Sequence, residues 1–414
     1  MHSIAMLVSN DVHHDARVRR EAAALALHYR VTVFGLDRDH PYPSDCGFQV
    51  QLLHVPMRKF RYSRGGLLLG YLQFGKRAID AIVRLRPDVV HAHDLDALVF
   101  CAIAAARLKI PLVYDAHELY AEQPARFGPL ARRLLRMLED AAMRPAAAIL
   151  VANESRAEVM WREYGTRVRP VAILNCPAAA RGTITPDGRL RRWVADQGRR
   201  WDKLVLYQGL LTDDRHLREL AQAARLLPPN VGIVFVGTGA ADEDIRHAGA
   251  DRVLVHPLLP VDEILPFIAG ADVGVVTYAN TSRNNYLCAP NKLFDYTAVG
   301  LPIAVGDLPE LAKMVTDFDA GVVFKNGDSE SMAREIAALL GDEVRRLRAR
   351  QGALRIAQHF TWENEARKLV DVYEYVLAAS KLGTRPRAPQ GERVGPDNQP
   401  RLHTPLSSGR RTSF

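Results

Sequence analysis

Ala289-Pro290-Asn291-Lys292-Leu293-Phe294-Asp295-Tyr296-Thr297-Ala298-Val299-Gly300-Leu301-Pro302-Ile303 is the stretch on which the reading of the fold turns. Pro290 stands where a helix begins, since its missing N–H would have no partner in a first turn anyway. Leu293, Phe294 and Thr297 recur on one helical face, and Gly300-Leu301-Pro302 is a helix stop. Ile303-Ala304-Val305 then reads as a short buried strand. The helix start carries Asn291 and Lys292, and it is a ready anion site because its N–H groups are unpaired and its dipole end is positive. Asp295, one turn further in, is placed to accept hydrogen bonds from sugar hydroxyls. Phosphate plus ribose points to a nucleotide.

Strand and helix patterns alternate outward from this segment in both directions, the signature of a doubly wound α/β architecture. In the first half, strands are expected at residues 4–8, 31–34, 50–55, 89–91, 112–114, 148–151 and 171–174, with the clearest helices at 15–27, 70–85 and 130–143. A second series starts afresh at 204–207 and continues at 231–236, 253–256, 273–277, 303–305 and 321–324. Between them, residues 177–201 are rich in Gly, Pro and Arg with weak periodicity and are read as a linker. Two Rossmann-like units follow, 1–176 and 202–361, then a final helix over 362–380.

At 414 residues the chain is too long for one ordinary core. With 48% hydrophobic and 25% charged residues it has a soluble globular composition. Its apolar runs all fall short of the roughly 18–20 residues needed to span a bilayer. The start, Met1-His2-Ser3-Ile4, lacks the pattern of a signal peptide. Cys46, Cys101, Cys176 and Cys288 are far apart, so neither a disulfide framework nor a zinc knuckle is indicated. The chain is therefore read as cytoplasmic. Of its net charge of +8, residues 381–414 hold +5, with five prolines, four glycines and little to bury. That basic tail is read as disordered. No basic–aromatic motif accompanies it, so nucleic acid is not an expected partner.

A dinucleotide-binding dehydrogenase is the first rival to set aside. Its fingerprint needs glycines directly after the first strand, so that backbone can approach a pyrophosphate. Here that loop is Ser9-Asn10-Asp11-Val12-His13-His14-Asp15, without a glycine. Gly237-Thr238-Gly239 follows a later strand but lacks a third glycine at the right spacing.

Five segments together carry a family resemblance. Pro290 to Pro302 resembles the donor-site helix of the family 4 glycosyltransferases, retaining enzymes of the GT-B fold. Val8-Ser9-Asn10-Asp11 with Asp15-Ala16-Arg17-Val18-Arg19-Arg20-Glu21-Ala22 resembles that family's first strand–loop–helix. Asp88-Val89-Val90-His91-Ala92-His93-Asp94 and Val113-Tyr114-Asp115-Ala116-His117-Glu118-Leu119 are similar to its later strand ends, and Phe360-Thr361-Trp362-Glu363 to its closing helix. The resemblance implies two sheets facing across a cleft, the last helix crossing back onto the first unit, and sugar transfer from a nucleotide donor.

It also implies site roles. Family 4 enzymes hold the donor diphosphate with two basic side chains and a helix start in the second unit. Arg215, in the loop opened by Gly209, matches the first, and Lys292 beside Asn291 matches the second. The family commonly has two glutamates for the donor; here the second is Asp295 and the first falls on Leu287, which offers no polar contact. Asn284, Asn285 and Tyr286 are candidates for replacement contacts, against a plain surface loop. His117 matches the histidine beside the reacting sugar, and Glu118 is read either as its neighbour in the site or as a first-turn acid.

On the acceptor side, Asn10, Asp11, Arg17, His93 and Asp94 are candidates. Arg17 and Arg20 are read either as binders of an anionic acceptor or as surface salt-bridge residues, and Asp15 as a helix cap. His91 and His93 alternate on a strand and share a face, which together with Asp115 and His117 imitates a hydrolase metal site. The resemblance instead implies acceptor-side lining, and neither metal nor cofactor is expected. Leu130, Leu134, Met137, Leu138 and Ala141 form an apolar stripe opposite Arg132, Arg133 and Arg136. Such a helix either covers a sheet or lies on an anionic membrane. The reading is a metal-free retaining transferase acting on a saccharide, lipid-linked or small acceptor, with peripheral contact at the inner membrane face left open. A non-catalytic partner of an active transferase and a nucleotide-sugar epimerase are the alternatives.

Overall fold

The computed structural model describes residues 1–10, 12, 15–36, 47–55, 64–123, 128–179 and 184–382. Asp11, Cys46 and the tail from residue 383 onward lie outside the described residues.

The described strands form two sheets in which every pairing is parallel. The first contains β1 (Ser3–Leu7), β2 (Arg30–Leu36), β3 (Gln49–Leu53), β4 (Val89–His93), β5 (Leu112–Ala116), β6 (Ala148–Val151) and β7 (Val171–Ala172), in the order β3-β2-β1-β4-β5-β6-β7. The second contains β8 (Lys203–Gln208), β9 (Val231–Val236), β10 (Val253–His256), β11 (Val273–Val276), β12 (Ile303–Gly306) and β13 (Gly321–Phe324), in the order β10-β9-β8-β11-β12-β13. Parallel strands are covered on both faces by helices, so they read as continuous apolar runs. Ile4, Ala5, Met6 and Leu7 are all fully buried, as are Leu206 and Tyr207. These are the two Rossmann-like units of a GT-B architecture.

Each strand order reverses once, between β1 and β4 and between β8 and β11. Ligands of open α/β sheets bind beyond the carboxyl ends of the strands at such reversals. The segments leaving β1, β4 and β5 there carry Asn10, Asp94 and His117; those leaving β8 and β11 carry Gly209 to Arg215 and Tyr278.

The helix Asn291–Ala298 starts after Pro290 and ends at Gly300, whose φ of +66° is the left-handed turn only glycine adopts freely. Gly300 N–H donates to Thr297 O and Leu301 N–H to Tyr296 O, the paired bonds that close a helix end. Burial extends beyond the expected face. Tyr296 is also fully buried, its hydroxyl accepts from Gln208 N–H at 2.9 Å, and a Cβ on Gly274 would lie 2.6 Å from its ring. The helix is thereby pressed onto β8 and β11.

Three expectations need correction. The helix expected from residue 70 runs over Arg64–Leu85, its early turns masked in the sequence by glycines, which are poor helix formers. The expected linker 177–201 contains the helix Arg189–Asp196, whose Leu190 and Val194 are buried in the second unit's core. Its arginines, facing water, hid the short apolar face. The strand expected over 171–174 is limited to Val171–Ala172; Ile173 N–H still donates to Val151 O, but the groups after it bond side chains. Arg17 donates to Ile173 O, and Leu174 N–H donates to Glu365. The final helix, Trp362–Lys381, lays Leu369, Tyr373, Val376 and Leu377 against Val18 and Leu25 of the first unit.

Gly300→Ala is expected to destabilise by about 1–2 kcal/mol, the cost of a left-handed alanine, and its Cβ would come within 3.0 Å of Leu354. A lower melting temperature in a thermal denaturation checks this; an unchanged one would contradict the role given to the turn.

Candidate active site

A cavity of about 980 Å³ opens where the two sheets' reversal points face each other. Asn10, His117, Arg156 and Asn175 reach it from the first unit, and Leu210, Arg215, Tyr278 and Asn291 from the second.

On the first side the organising pair is Arg17 and Asp115, which are 4% and 0% exposed. Arg17 stands in the helix Ala16–Ala26, capped by Asp15, whose carboxylate accepts from the backbone of Arg17 and Val18. Its guanidinium meets Asp115 in a fork, with Nε 2.8 Å from Oδ2 and Nη2 2.7 Å from Oδ1, and Nη1 donates to Ile173 O at 2.6 Å. Arg17 thus takes the salt-bridge reading inside the unit while it also borders the cavity. Arg20 instead bonds Asn175 Oδ1 at 2.7 Å.

Around Asp115 gathers a buried histidine cluster. His93 Nδ1 is 3.3 Å from Asp115 Oδ2 and 3.0 Å from His117 Nε2. His91 stacks on His93 at 4.3 Å and bonds the Tyr373 hydroxyl of the closing helix at 2.5 Å. His93 is 1% exposed, so it supports His117 from beneath rather than lining the cleft. The acidic and imidazole atoms of Glu21, His91, His93 and Asp115 lie within 4.8 Å of one another, a spacing that metal ligands share. Here Arg17 is the cation among them, 3.1 Å from Glu21 and 2.7 Å from Asp115, so no metal is assigned.

His117 itself is 16% exposed, with Nε2 3.0 Å from Asp115 Oδ2 and Nδ1 3.4 Å from Asp94 Oδ2. Burial alone would lower its pKa, but the two carboxylates outweigh that and raise it to about 10. Burial would raise Asp115, yet Arg17 and His117 hold it well below the usual carboxylate range. Glu21, with burial and Asp115 both against its charge, is pushed up to about 8. At neutral pH the cluster thus presents His117 as an imidazolium over an anionic Asp115.

On the second side two cations are held on aromatic faces. Lys292 Nζ lies 3.8 Å over Tyr207 and 5.3 Å from the Tyr278 ring centre, and the Arg215 guanidinium lies 3.9 Å over Tyr278. Among the described residues Lys292 has no carboxylate partner, and burial together with Arg215 drives its pKa well below the usual lysine value. An arriving anion would restore that charge. Gly209, at φ +133°, leaves room for the lysine, since a Cβ there would lie 3.2 Å from Nζ. Asp295 sits one turn behind, between Gln208 and Arg20; burial raises it to about 6 against the pull of Arg20.

Sequence reasoning missed the loop that joins the two sides. Leu287, where the family's first acid would stand, is 8% exposed and packs in the first unit's core. Its carbonyl accepts from Asn153 at 2.7 Å, and Asn284 Oδ1 accepts from Leu119 N–H at 3.0 Å. Arg156 donates to His117 O and, at 3.2 Å, to Asn284 O. Asn285 is tied to Ala279 O at 3.2 Å, and Tyr286 is not among the cavity's lining residues. Asn284 and Asn285 therefore clasp the loop in place, and both also line the cavity. The signal in sequence was only the cap pattern at Asn153, because Arg156 and Asn153 reach partners 39 to 134 residues away.

Two family models match the chain in succession. One, Glycosyltransferase Family 4, covers residues 16–178, and the other, Glycosyl transferases group 1, covers residues 202–342. A D-inositol 3-phosphate glycosyltransferase of Xylanimonas cellulosilytica is 27% identical over 304 residues, which are 69% of this chain and 71% of that protein. A glycogen synthase of Mycobacterium tuberculosis is 24% identical over 388 residues, 86% of this chain and 88% of that one. Among solved structures, Anabaena HepE in complex with UDP-glucose superposes with a TM-score of 0.69 at 18% identity, covering 90% of this chain and 100% of that one. Sucrose-phosphate synthase from Thermosynechococcus elongatus gives 0.70 at 17% identity, over 92% and 100%. The chain belongs to the group 1 glycosyltransferases of the GT-B fold and is a glycosyltransferase.

Leu287→Glu, which restores an acid at the family position, is expected to destabilise the protein, since it drives a charge into an apolar core. Thermal denaturation checks this; a variant as stable as the parent would show that the loop does not depend on that contact.

Proposed function

We propose that the protein transfers a sugar from a nucleotide-sugar donor to a hydroxyl acceptor with retention of configuration. The observation that carries the reading is a pair of aromatic-held cations: Arg215 lines the cavity that His117 also lines, and Lys292 stands at the start of the helix Asn291–Ala298, next to Asn291, which lines the same cavity. HepE, likened here by fold alone, has been solved with UDP and with UDP and glucose, which supports a nucleotide sugar in such a cleft.

In this reading Arg215, Lys292 and the free N–H groups of Asn291 and Lys292 hold the diphosphate, and Asp295 accepts from the ribose hydroxyls. The bond from the anomeric carbon to the diphosphate oxygen breaks, and the charge left on that oxygen falls among these cations. The acceptor oxygen bonds the anomeric carbon on the same face, and its proton passes to the departing phosphate. His117 borders the sugar and positions it, with Asn10 towards the acceptor. No metal or cofactor enters this scheme.

A membrane-borne acceptor is favoured by a specific observation. The stripe of the helix Pro129–Met143 faces outward: Leu130 is 73%, Leu134 57%, Met137 59% and Leu138 45% exposed. Arg132 and Arg133 are exposed on the same helix, and Leu68, Leu69 and Leu72 are exposed on Arg64–Leu85. The described helices are all too short or too polar to cross a bilayer, so this face suits peripheral contact with anionic lipid at the cytoplasmic side.

Removing either cation by Lys292→Ala or Arg215→Ala is expected to weaken donor binding by about 10- to 150-fold, from a charge-assisted contact of about 1.5–3 kcal/mol. A thermal-shift panel of nucleoside diphosphates and their sugars measures it; unchanged affinity in both variants would sink the site. For the membrane reading, sedimentation with phosphatidylglycerol vesicles is expected to pull down the parent protein and spare Leu134→Glu/Met137→Glu. Equal sedimentation of both would end it.

A further inference from the structure

The Asp94 backbone is strained at the point where two strands deliver the cleft histidine. Asp94 opens the helix Asp94–Leu108 with φ +60°, a left-handed conformation that residues other than glycine adopt at a cost, aspartate at less than most. Such an outlier persists where the surroundings over-determine it, and it is commonest at functional sites. Here the contacts that fix it lead to one residue. Asp94 Oδ1 accepts the backbone N–H of His117 at 3.0 Å, and Oδ2 lies 3.4 Å from His117 Nδ1. A single side chain thus holds both the main chain and the ring of His117, splinting the ends of β4 and β5, which pair with His93 opposite Asp115.

The two ring nitrogens are not equivalent. Nε2 is 3.0 Å from Asp115 Oδ2 and 3.0 Å from His93 Nδ1, so that edge is committed to the buried cluster. Nδ1 at 3.4 Å from Asp94 is beyond a good N–H···O distance, so its charge is compensated while its N–H stays available. The ring is 16% exposed, and His117 lines the cavity.

We propose that Asp94 is a positioning residue for the transfer step: it fixes the orientation of the His117 ring and keeps the proton on Nδ1, so that the ring presents an N–H to the sugar. This rests on the reading of His117 as the residue that borders the reacting sugar. His117 is faced by Asp94 from the helix start, by Asp115 and His93 from the strand ends, and by Asp15 and Arg17 from the first helix. Arg156 adds a cation at its carbonyl. Asp115 is already shared with Arg17, so Asp94 is the carboxylate not tied up by another cation. Without it, His117 retains the Nε2 proton towards Asp115 and loses the one on Nδ1, which turns a donor into an acceptor.

The test compares Asp94→Asn and Asp94→Glu with the parent protein by kinetics on a nucleotide sugar, nucleoside diphosphate thermal shift, and NMR of nitrogen-labelled histidine. Asp94→Asn is expected to lower kcat by about tenfold or more while leaving donor KM and the thermal shift within about twofold. The His117 titration should fall from about 10 towards the ordinary value of about 6.5. The raised value keeps the donor N–H in place as pH rises through neutrality; in the variant that N–H is lost, so its kcat should fall above neutral pH where the parent's does not. Asp94→Glu should recover part of the loss. An unchanged kcat, an unchanged His117 titration, or a collapse of folding in both variants would each overturn the positioning role. If the parent protein transfers no sugar from any donor, the proposed reaction fails, and the NMR titration still decides whether Asp94 governs His117.

Discussion

The buried fork between Arg17 and Asp115 is the interaction on which the first half of the molecule depends. Breaking such a pair leaves an unpaired charge inside, at a cost of about 3–5 kcal/mol. Arg17 comes from the first helix, Asp115 from the end of β5, and the third arm of the guanidinium reaches the chain leaving β7. One side chain therefore ties together the two sides of the strand-order reversal. Asp115 in turn fixes the edge of His117, with His93 wedged beneath. The closing helix joins the same assembly through Tyr373 and His91, so the last described element bears on the floor of the cleft.

The second half treats its two cations differently. Tyrosine faces hold both Lys292 and Arg215, but Arg215 also meets Asp214 at 3.4 Å, whereas Lys292 has no carboxylate partner among the described residues, and Gly209 leaves space that a Cβ would fill. A lysine held in this way is uncomfortable when alone, and an anionic ligand relieves it. The donor helix is also mechanically joined to the first unit, because the loop just ahead of it inserts Leu287 into the first core and accepts bonds from Asn153 and Arg156. Leucine at that position makes an apolar contact between the units.

All thirteen described strands and the helix Asn291–Ala298 were legible along the chain, because strands buried on both faces are written as uninterrupted apolar runs. Pro290 and Gly300 mark their helix ends for equally local reasons, a missing N–H and a free left-handed turn. What was illegible had partners far away. Arg17 looks the same in sequence whether it faces a ligand or forks onto Asp115, and His93 looks the same whether it lines a cleft or props another imidazole. The helix Arg189–Asp196 was lost because its two core residues are diluted by surface arginines.

The sequence by itself determined the two doubly wound units, the family, and the helix start that carries Asn291 and Lys292, all features encoded within a turn or a strand. Only the tertiary structure decided which charges are spent and which remain available. Arg17 is paired with Asp115, while Lys292 is buried against the Tyr207 ring with no carboxylate partner among the described residues. A charge is neutralised by whatever lies within a few ångströms, and that neighbour is chosen by folding rather than by position in the chain.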